Sequence, residues 1–384
     1  MKESLLSLYR NHKEKSLFGR YVHNESISEW LKKIDKKIGI EKLGASVENR
    51  DIISLNLGDG SIKVLAWSQM HGNESTTTKA ISDLINVLQG SSEFAKHILG
   101  NCTIKIIPIL NPDGAFKYTR ENANKIDLNR DAQSLSQPES KLLRAVFDGF
   151  KPDYCFNLHG QRTIFGVGNT GKPAKISFLS PAKDANRSIT NTRKRAMAII
   201  VKMNEVLQSE IPGQIGKYDD NFNMNCVGDT FQLLKTPTIL FEAGHSGSDY
   251  NREDTRYYIF LAIATALNHI ADSSTKPYPE HLNKTVEAYS QIPENEKNFF
   301  DILLKQTKQG DIGIQYREIL KGDDIVFVPE VSKIGELNNY FGHLEIDAKN
   351  SDILNSFIEP IKIGDEIVFE MKNNEKFALK PKNI

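Results

Sequence analysis

His71, Glu74 and His159 are residue types that can hold a divalent metal ion, and their setting in the chain favours that use. Two imidazoles and one carboxylate make the donor set of a catalytic zinc site whose fourth position stays open for water. In His71-Gly-Asn-Glu74 a spacing of three lets both side chains turn toward one ion. A helical pattern begins at about Ser75, so Glu74 falls in a first turn, where a carboxylate also suits the positive end of the dipole. An isolated His-x-x-Glu pair is ordinarily just a polar helix start. Its weight comes from His159 and Glu242, each of which closes a separate strand-like segment.

The elements that must carry these residues follow from apolar periodicity. Ile27, Trp30, Leu31 and Ile34 form one stripe and predict a helix over 26–38. Strands are expected over 52–57 and 62–67, joined as a hairpin through Gly58-Asp-Gly60. Helical and strand patterns then alternate: helix 77–88, strand 103–110, helix 139–147, strand 154–158, helix 192–207, strand 238–241 and helix 252–270. Such alternation implies an α/β fold, with a mixed, largely parallel central sheet flanked by helices on both faces. Chemistry in these sheets collects at the carboxyl ends of strands, where His71, Asn111, His159 and Glu242 all fall. The polar stretch 272–280, with Pro277 and Pro279, reads as a linker. Beyond it, 311–316, 324–329 and 366–370 are rich in β-formers beside Gly-Asp turns. The expected division is a main domain over 1–273 (with a helical lead-in over 1–45), a linker over 274–282 and a small β-rich C-terminal domain over 283–384.

A formal net charge of zero and the lack of any basic stripe argue against nucleic acid as a partner. The first nine residues show no apolar run of a secretory signal, and no segment reaches the ~18 apolar residues of a membrane span. Cys102, Cys155 and Cys226 are odd in number and scattered, which reads as free thiols in a reducing compartment. A cytoplasmic enzyme with no membrane partner is the expectation.

Three further segments add to the picture: Asn111-Pro-Asp-Gly114 with the adjoining Thr119-Arg-Glu-Asn122, Asn124-Lys-Ile-Asp-Leu-Asn-Arg130, and Pro237-Thr-Ile-Leu-Phe-Glu242-Ala-Gly. Taken in order with the histidine motifs, they resemble the zinc carboxypeptidases of the metallocarboxypeptidase family, over about 58–270. The resemblance implies one Zn2+ per chain, held by His71, Glu74 and His159. It implies that Glu242 is the general base that moves the water's proton to the leaving amine. By the same resemblance Arg120 stabilises the tetrahedral oxyanion, and Asn129 and Arg130 grip the substrate's terminal carboxylate, a task suited to an arginine fork. The implied activity is removal of a C-terminal residue from a peptide. An unpartnered buried charge costs ~3–5 kcal/mol, so amidated peptides should be cleaved at least about a hundredfold more slowly.

Three departures from the family pattern bear on specificity. Asp131-Ala132 follows Asn129-Arg130 where a polar and then an aromatic residue are usual. Gly160-Gln161-Arg162 follows His159 where many members carry a serine and an aromatic. Tyr218 is the loose candidate for the family's mobile tyrosine. Gln161 and Tyr218 are therefore candidate substrate contacts, although Gln161 and Arg162 could equally anchor a loop and Tyr218 could simply pack. Arg130 could pair with Asp131, and Arg120 could be a solvated loop charge. His245 reads as structural rather than as a fourth ligand, because water needs the open position. His12, His23, His97, His269, His281 and His343 read as surface or packing residues.

The second reading is an N-acyl amino-acid deacylase resembling aspartoacylase or succinylglutamate desuccinylase, which share the His-Gly-Asn-Glu and Leu-Asn-Arg spellings. The full Asn-Pro-Asp-Gly and the 120–124 stretch favour the peptidase, and a closed cavity would favour the deacylase. A silent binding module with a relic metal site is the third, opposed by the fact that every chemical role is filled. The expected ligand is a peptide or acylated amino acid with a free carboxylate, taken with broad or apolar side-chain preference. The C-terminal domain is a candidate for gating, partner recognition or homo-oligomer formation.

Overall fold

Alternate residues of a strand face opposite sides of a sheet, and along 62–68 both sides are apolar. Val64 and Ala66 enter one core, Leu65 and Trp67 another, which is the two-sided burial of a central parallel strand. In the computed structural model, which describes residues 2–273, 282–354, 359–367, 369–372 and 375–378, this segment lies inside an eight-stranded mixed sheet. Its strands are β1 (Gly39–Ala45), β2 (Asp51–Leu57), β3 (Ile62–Ser68), β4 (Cys102–Ile107), β5 (Tyr154–Gly160), β7 (Ile176–Leu179), β8 (Ile215–Lys217) and β9 (Thr238–Ala243), while β6 (Gly166–Val167) lies outside it. The spatial order is β1-β2-β4-β3-β5-β9-β7-β8. β4, β3, β5 and β9 run parallel, as do β7 and β8; the β1/β2, β2/β4 and β7/β9 pairs are antiparallel.

One face is covered by α3 (Thr76–Leu88), α4 (Glu93–Asn101), α7 (Asn191–Gln208) and α9 (Glu253–Asp272), which pack on Val64, Ile104, Phe156 and Phe241. The other is covered by α6 (Pro138–Phe150) and α8 (Val227–Leu233) through Leu143, Phe147 and Phe231. α1 (Lys2–His12) packs on α3 and α9, and α2 (Asn24–Leu31) meets α5 (Pro112–Lys117). The architecture is the α/β fold expected, with helices on both faces of a mixed sheet. No described helix is long and apolar enough to cross a membrane.

The expected β2–β3 hairpin does not form. β4 inserts between them, antiparallel to β2 and parallel to β3. Gly58 and Gly60 serve a close approach instead, because a Cβ on Gly60 would lie 1.9 Å from the Asn101 carbonyl carbon. β4 also stops at Ile107 rather than at 110, since Pro108 has no N–H for the ladder. α2 ends at Leu31 rather than at 38.

Residues 274–281 of the expected linker lie outside the described residues. Leu282 opens α10 (Leu282–Ser290), which packs on α7, and the Tyr289 hydroxyl accepts the Ser180 N–H at 3.1 Å. β10 (Asn295–Glu296) then pairs with β6. β11 (Phe299–Thr307), β12 (Gly310–Lys321), β13 (Asp324–Gly335) and β14 (Phe341–Asp347) form a second sheet in the order β13-β12-β11-β14, and β15 (Phe369–Lys372) pairs with β16 (Glu375–Ala378). This β-rich region has its own core of Ile302, Leu304, Ile312, Ile314 and Val331.

It also reaches back to the main sheet's loops. Partly buried Glu318 accepts from Arg20 at 3.0 Å and from the Tyr118 hydroxyl at 2.5 Å. Asp301 accepts the Tyr250 hydroxyl at 2.8 Å, the Tyr316 N–H at 2.7 Å and the Thr163 hydroxyl at 3.1 Å.

Candidate functional site

Register brings the key residues together. β5 and β9 are paired in parallel with His159 opposite Glu242. Tyr154, Phe156 and Leu158 fill the helical core, so Asn157 and His159 face the other side, and the same alternation on β9 turns Leu240 and Glu242 that way. His71 arrives on the loop after β3. Glu74 lies in a turn just before α3 rather than in its first turn, with its N–H on the His71 carbonyl at 3.1 Å. Gly72 is required here, because a Cβ would lie 1.9 Å from the Gly114 carbonyl carbon.

That neighbour belongs to the Asn-Pro-Asp-Gly segment, which starts α5 rather than closing a strand. Asn111 Oδ1 accepts the Gly114 N–H at 2.9 Å and Pro112 fills the first helical position. Tyr118, in the left-handed region, ends α5 and turns the chain so that Arg120 faces Asp127.

The donor atoms converge. His71 Nδ1 is 2.8 Å from Glu74 Oε1, His159 Nδ1 is 3.0 Å from Glu74 Oε2, and the two Nδ1 atoms are 3.0 Å apart. One ligand atom from each residue lies within 4.8 Å of the others, a grouping that could hold a metal ion. The Gly160 N–H steadies Glu74 Oε2 at 2.9 Å. Behind His71, Nε2 lies 3.0 Å from Asp127 Oδ1, and Arg120 donates twice to Asp127 Oδ2 at 3.1 and 2.9 Å. A carboxylate on the far nitrogen fixes the tautomer and turns the Nδ1 lone pair toward the cluster. Asp127 had no role in the sequence reading; its place two residues before Asn129 was the available signal.

The electrostatics match this packing. Burial opposes a charge on His71, but Glu74 and Asp127 hold its pKa up at about 9. Burial alone would raise Glu74; the two histidines bring it well below the usual carboxylate range. Burial, and then the Glu74 charge, push Glu242 well above that range, and its Oε2 is buried with no hydrogen-bond partner among the described residues.

The other expected site residues line the same cleft, of about 710 Å3. Arg130 is exposed and donates to the Asn129 carbonyl at 2.8 Å and to Cys226 Sγ at 3.1 Å. It makes no ion pair with Asp131, which instead accepts from Ser136 and the Gln137 N–H at 3.0 Å. Asn129 Oδ1 accepts the Val227 N–H at 3.0 Å, and Asp229 of α8 lines this end with its pKa pushed up to about 6 by burial. Tyr218 packs on Phe165 at 5.3 Å, with burial and the Glu242 charge raising its pKa. Gln161 uses both ends of its amide internally, donating to the Ala174 carbonyl at 2.6 Å and accepting from Asn295 at 3.2 Å. His245 stays outside the donor set, with Nε2 on the Gly247 carbonyl at 2.5 Å and its ring on His343 at 4.5 Å.

A family model described as zinc carboxypeptidase matches residues 27–260 of this chain. Probable carboxypeptidase 2 of Arthroderma benhamiae is 30% identical over 134 residues, which are 33% of this chain and 25% of that protein. Mouse carboxypeptidase M is 26% identical over 212 residues, 45% of this chain and 47% of that protein. The chain thus spans between a quarter and a half of the length of these relatives. Among solved structures, a metallo-carboxypeptidase from Burkholderia cenocepacia superposes with a TM-score of 0.54 at 18% identity, covering 65% of this chain and 69% of that one. Carboxypeptidase A from Helicoverpa armigera gives 0.53 at 16% identity over 71% and 81%. These two likenesses are of fold.

Proposed function

The chain belongs to the zinc carboxypeptidase family, and from that membership we propose that it hydrolyses the C-terminal bond of peptides bearing a free carboxylate. The observation that supports this most is the convergence of His71, Glu74 and His159, with Glu242 next to His159 in register. The donor types suit one Zn2+, and the Asp127 carboxylate behind His71 suits it too. When bound there, zinc lowers the pKa of its water to about 7 and polarises the scissile carbonyl.

The protein's own groups would do the rest. Glu242, whose burial raises its proton affinity, takes a proton from the attacking water and returns it to the leaving amine. Arg120 sits at the edge of the donor set, 3.5 Å from Glu74, and offers N–H donors to the oxygen that becomes negative. Asn129 and Arg130 take the terminal carboxylate. Because Arg130 is exposed rather than buried, its loss of a partner is that of a charged hydrogen bond, ~1.5–3 kcal/mol. Amidated peptides should then be slower by at least about tenfold, not the hundredfold that a buried charge would give. Nothing in the family match favours the deacylase.

The test is mass spectrometry of a mixed peptide library incubated with zinc-loaded protein, with free and amidated C-termini in parallel and Glu242→Gln as control. Loss of single C-terminal residues from the free series, absent with the variant, is the expected result. An untouched library would end the reading.

A further inference from the structure

We propose that Arg162 and Lys297 form a subsite for an acidic side chain of the substrate, one or two residues before its C-terminal residue; this rests on the peptidase reading above and specifies its substrate class. The charges lining the cleft lead to it. Glu74 is held by both histidines, Asp219 pairs with Arg187 at 3.6 Å, Asp229 accepts the Asn223 N–H at 3.4 Å, and Glu242 is buried beside the donor set. Among the cations, Arg120 is engaged by Asp127 and Glu74. Arg130, Arg162 and Lys297 line the cleft with no carboxylate partner among the described residues. Arg130 stands at the end assigned to the terminal carboxylate. The other two remain, both exposed.

Arg162 and Lys297 belong to one piece of structure. Gly166 and Val167 of β6 pair antiparallel with Glu296 and Asn295 of β10, and the Phe299 N–H donates to the Ile164 carbonyl at 3.1 Å. Lys297 therefore runs beside the 164–165 segment, with Arg162 just beyond it on the same ribbon. Ile164 and Phe165 of that ribbon also line the cleft. Asn295 pins it to the loop after His159, donating to Gln161 Oε1 at 3.2 Å, and to β7, donating to Ser177 Oγ at 3.0 Å. Arg130 and α8 line one part of the cleft and the ribbon lines another, which in this proposal takes the acyl side of the peptide. Two cations without internal partners, on a braced ribbon, would lose water when a peptide fills the cleft. A glutamate or aspartate side chain replaces that water with a charged partner; a lysine adds repulsion.

The experiment measures kcat/KM for free-carboxylate peptides that differ only in Glu, Gln or Lys at the penultimate position, and in a second series at the one before it. Zinc-loaded wild type, Arg162→Gln, Lys297→Gln and the double variant are compared. Exposed pairs are individually weak, so the expected Glu/Gln ratio in one series is about fivefold, smaller at high salt, and near one in the double variant. Equal rates on Glu and Gln peptides in both series, or a preference that survives the double substitution, would overturn the subsite. Calorimetric binding of the same peptides to zinc-loaded Glu242→Gln protein separates this from the parent reading. No turnover of any peptide by wild type removes the peptidase, whereas an acid-over-amide affinity ratio that requires Arg162 and Lys297 retains the subsite, and its absence removes that as well.

Discussion

Asp127→Asn tests the centre without touching a donor atom. Asp127 Oδ1 lies 3.0 Å from His71 Nε2 and accepts the Asn129 N–H at 2.9 Å, while Oδ2 takes two N–H groups of Arg120. One carboxylate thus fixes the tautomer of His71, the direction of Arg120 and the turn that carries Asn129 and Arg130. Despite burial, His71 and Arg120 hold Asp127 well below the usual carboxylate range, so it is charged at neutral pH. Asparagine has the same shape but one acceptor fewer. If its oxygen stays on His71, its NH2 faces the Arg120 guanidinium; turned over, it faces the His71 N–H. Either way one charge-assisted contact becomes a clash of donors.

Losing such an outer carboxylate typically weakens metal binding about ten- to hundredfold, or ~1.4–2.7 kcal/mol at ~1.4 kcal/mol per factor of ten. Competition for zinc against a chromophoric chelator reads that loss directly. Peptide turnover at saturating zinc should stay below wild type, because Arg120 is released from its orientation as well. A folded variant with unchanged zinc affinity would refute the assignment of Asp127 to the centre.

Other expectations follow from the same contacts. Glu242→Gln should keep zinc affinity and lose about 10²–10⁴ in kcat, with thermal stability equal or higher, since burial already disfavours the charge; a lower Tm would contradict that electrostatic picture. Asp83 and Arg256, both fully buried at 2.6 Å, join α3 to α9, so Asp83→Ala should cost about 3–5 kcal/mol in urea denaturation, and a change under 1 kcal/mol would show the pair to be dispensable. Burial, with help from Arg252, lowers His343 to about 4 from the ordinary 6.5 of a histidine, so between those pH values the unfolded chain binds a proton that the folded one refuses. Its contribution is complete above about 6.5 and lost as pH falls toward 4; a His343→Phe variant should show a flatter Tm decline from pH 6.5 to 4.5, and an identical slope would remove His343 as the cause. Gly72→Ala, with its Cβ 1.9 Å from the Gly114 carbonyl carbon, should lower both Tm and zinc affinity, and wild-type values for both would show that the loop yields.

The sequence disclosed what period and spacing can carry. β3, β5, β9, α3, α7 and α9 each hold a long apolar pattern, and their bounds fall within a few residues of expectation. His71, Glu74, His159 and Glu242 could be singled out as candidates because each lies within or a few residues from such an element. β1, α4, β7 and β8 were not: β1 is an edge strand with no buried residue, and the other three are short. The false hairpin has the same origin: Gly58 and Gly60 carry identical spelling whether they turn a chain or let it pass close to Asn101. Asp127, Arg162 and Lys297 lie in segments without periodicity, and only the fold says what they face.

The β-rich region is the largest case of this kind, since its composition suggests an attachment and its contacts do not. Glu318 takes Arg20 and Tyr118, and Tyr118 is two residues from Arg120. Asp301 takes Tyr250 from the loop that follows Glu242, and on that loop Arg252 donates to the Ala243 carbonyl at 2.6 Å. His343 bonds the Thr163 carbonyl at 2.8 Å, next to Arg162. Each contact ends on a segment that directs a cleft residue, so displacing the second sheet would strand buried polar groups directly behind the site. The cost of that exposure ties the geometry of Arg120, Glu242 and Arg162 to the docking of a sheet that contributes no donor to the His71, Glu74 and His159 cluster.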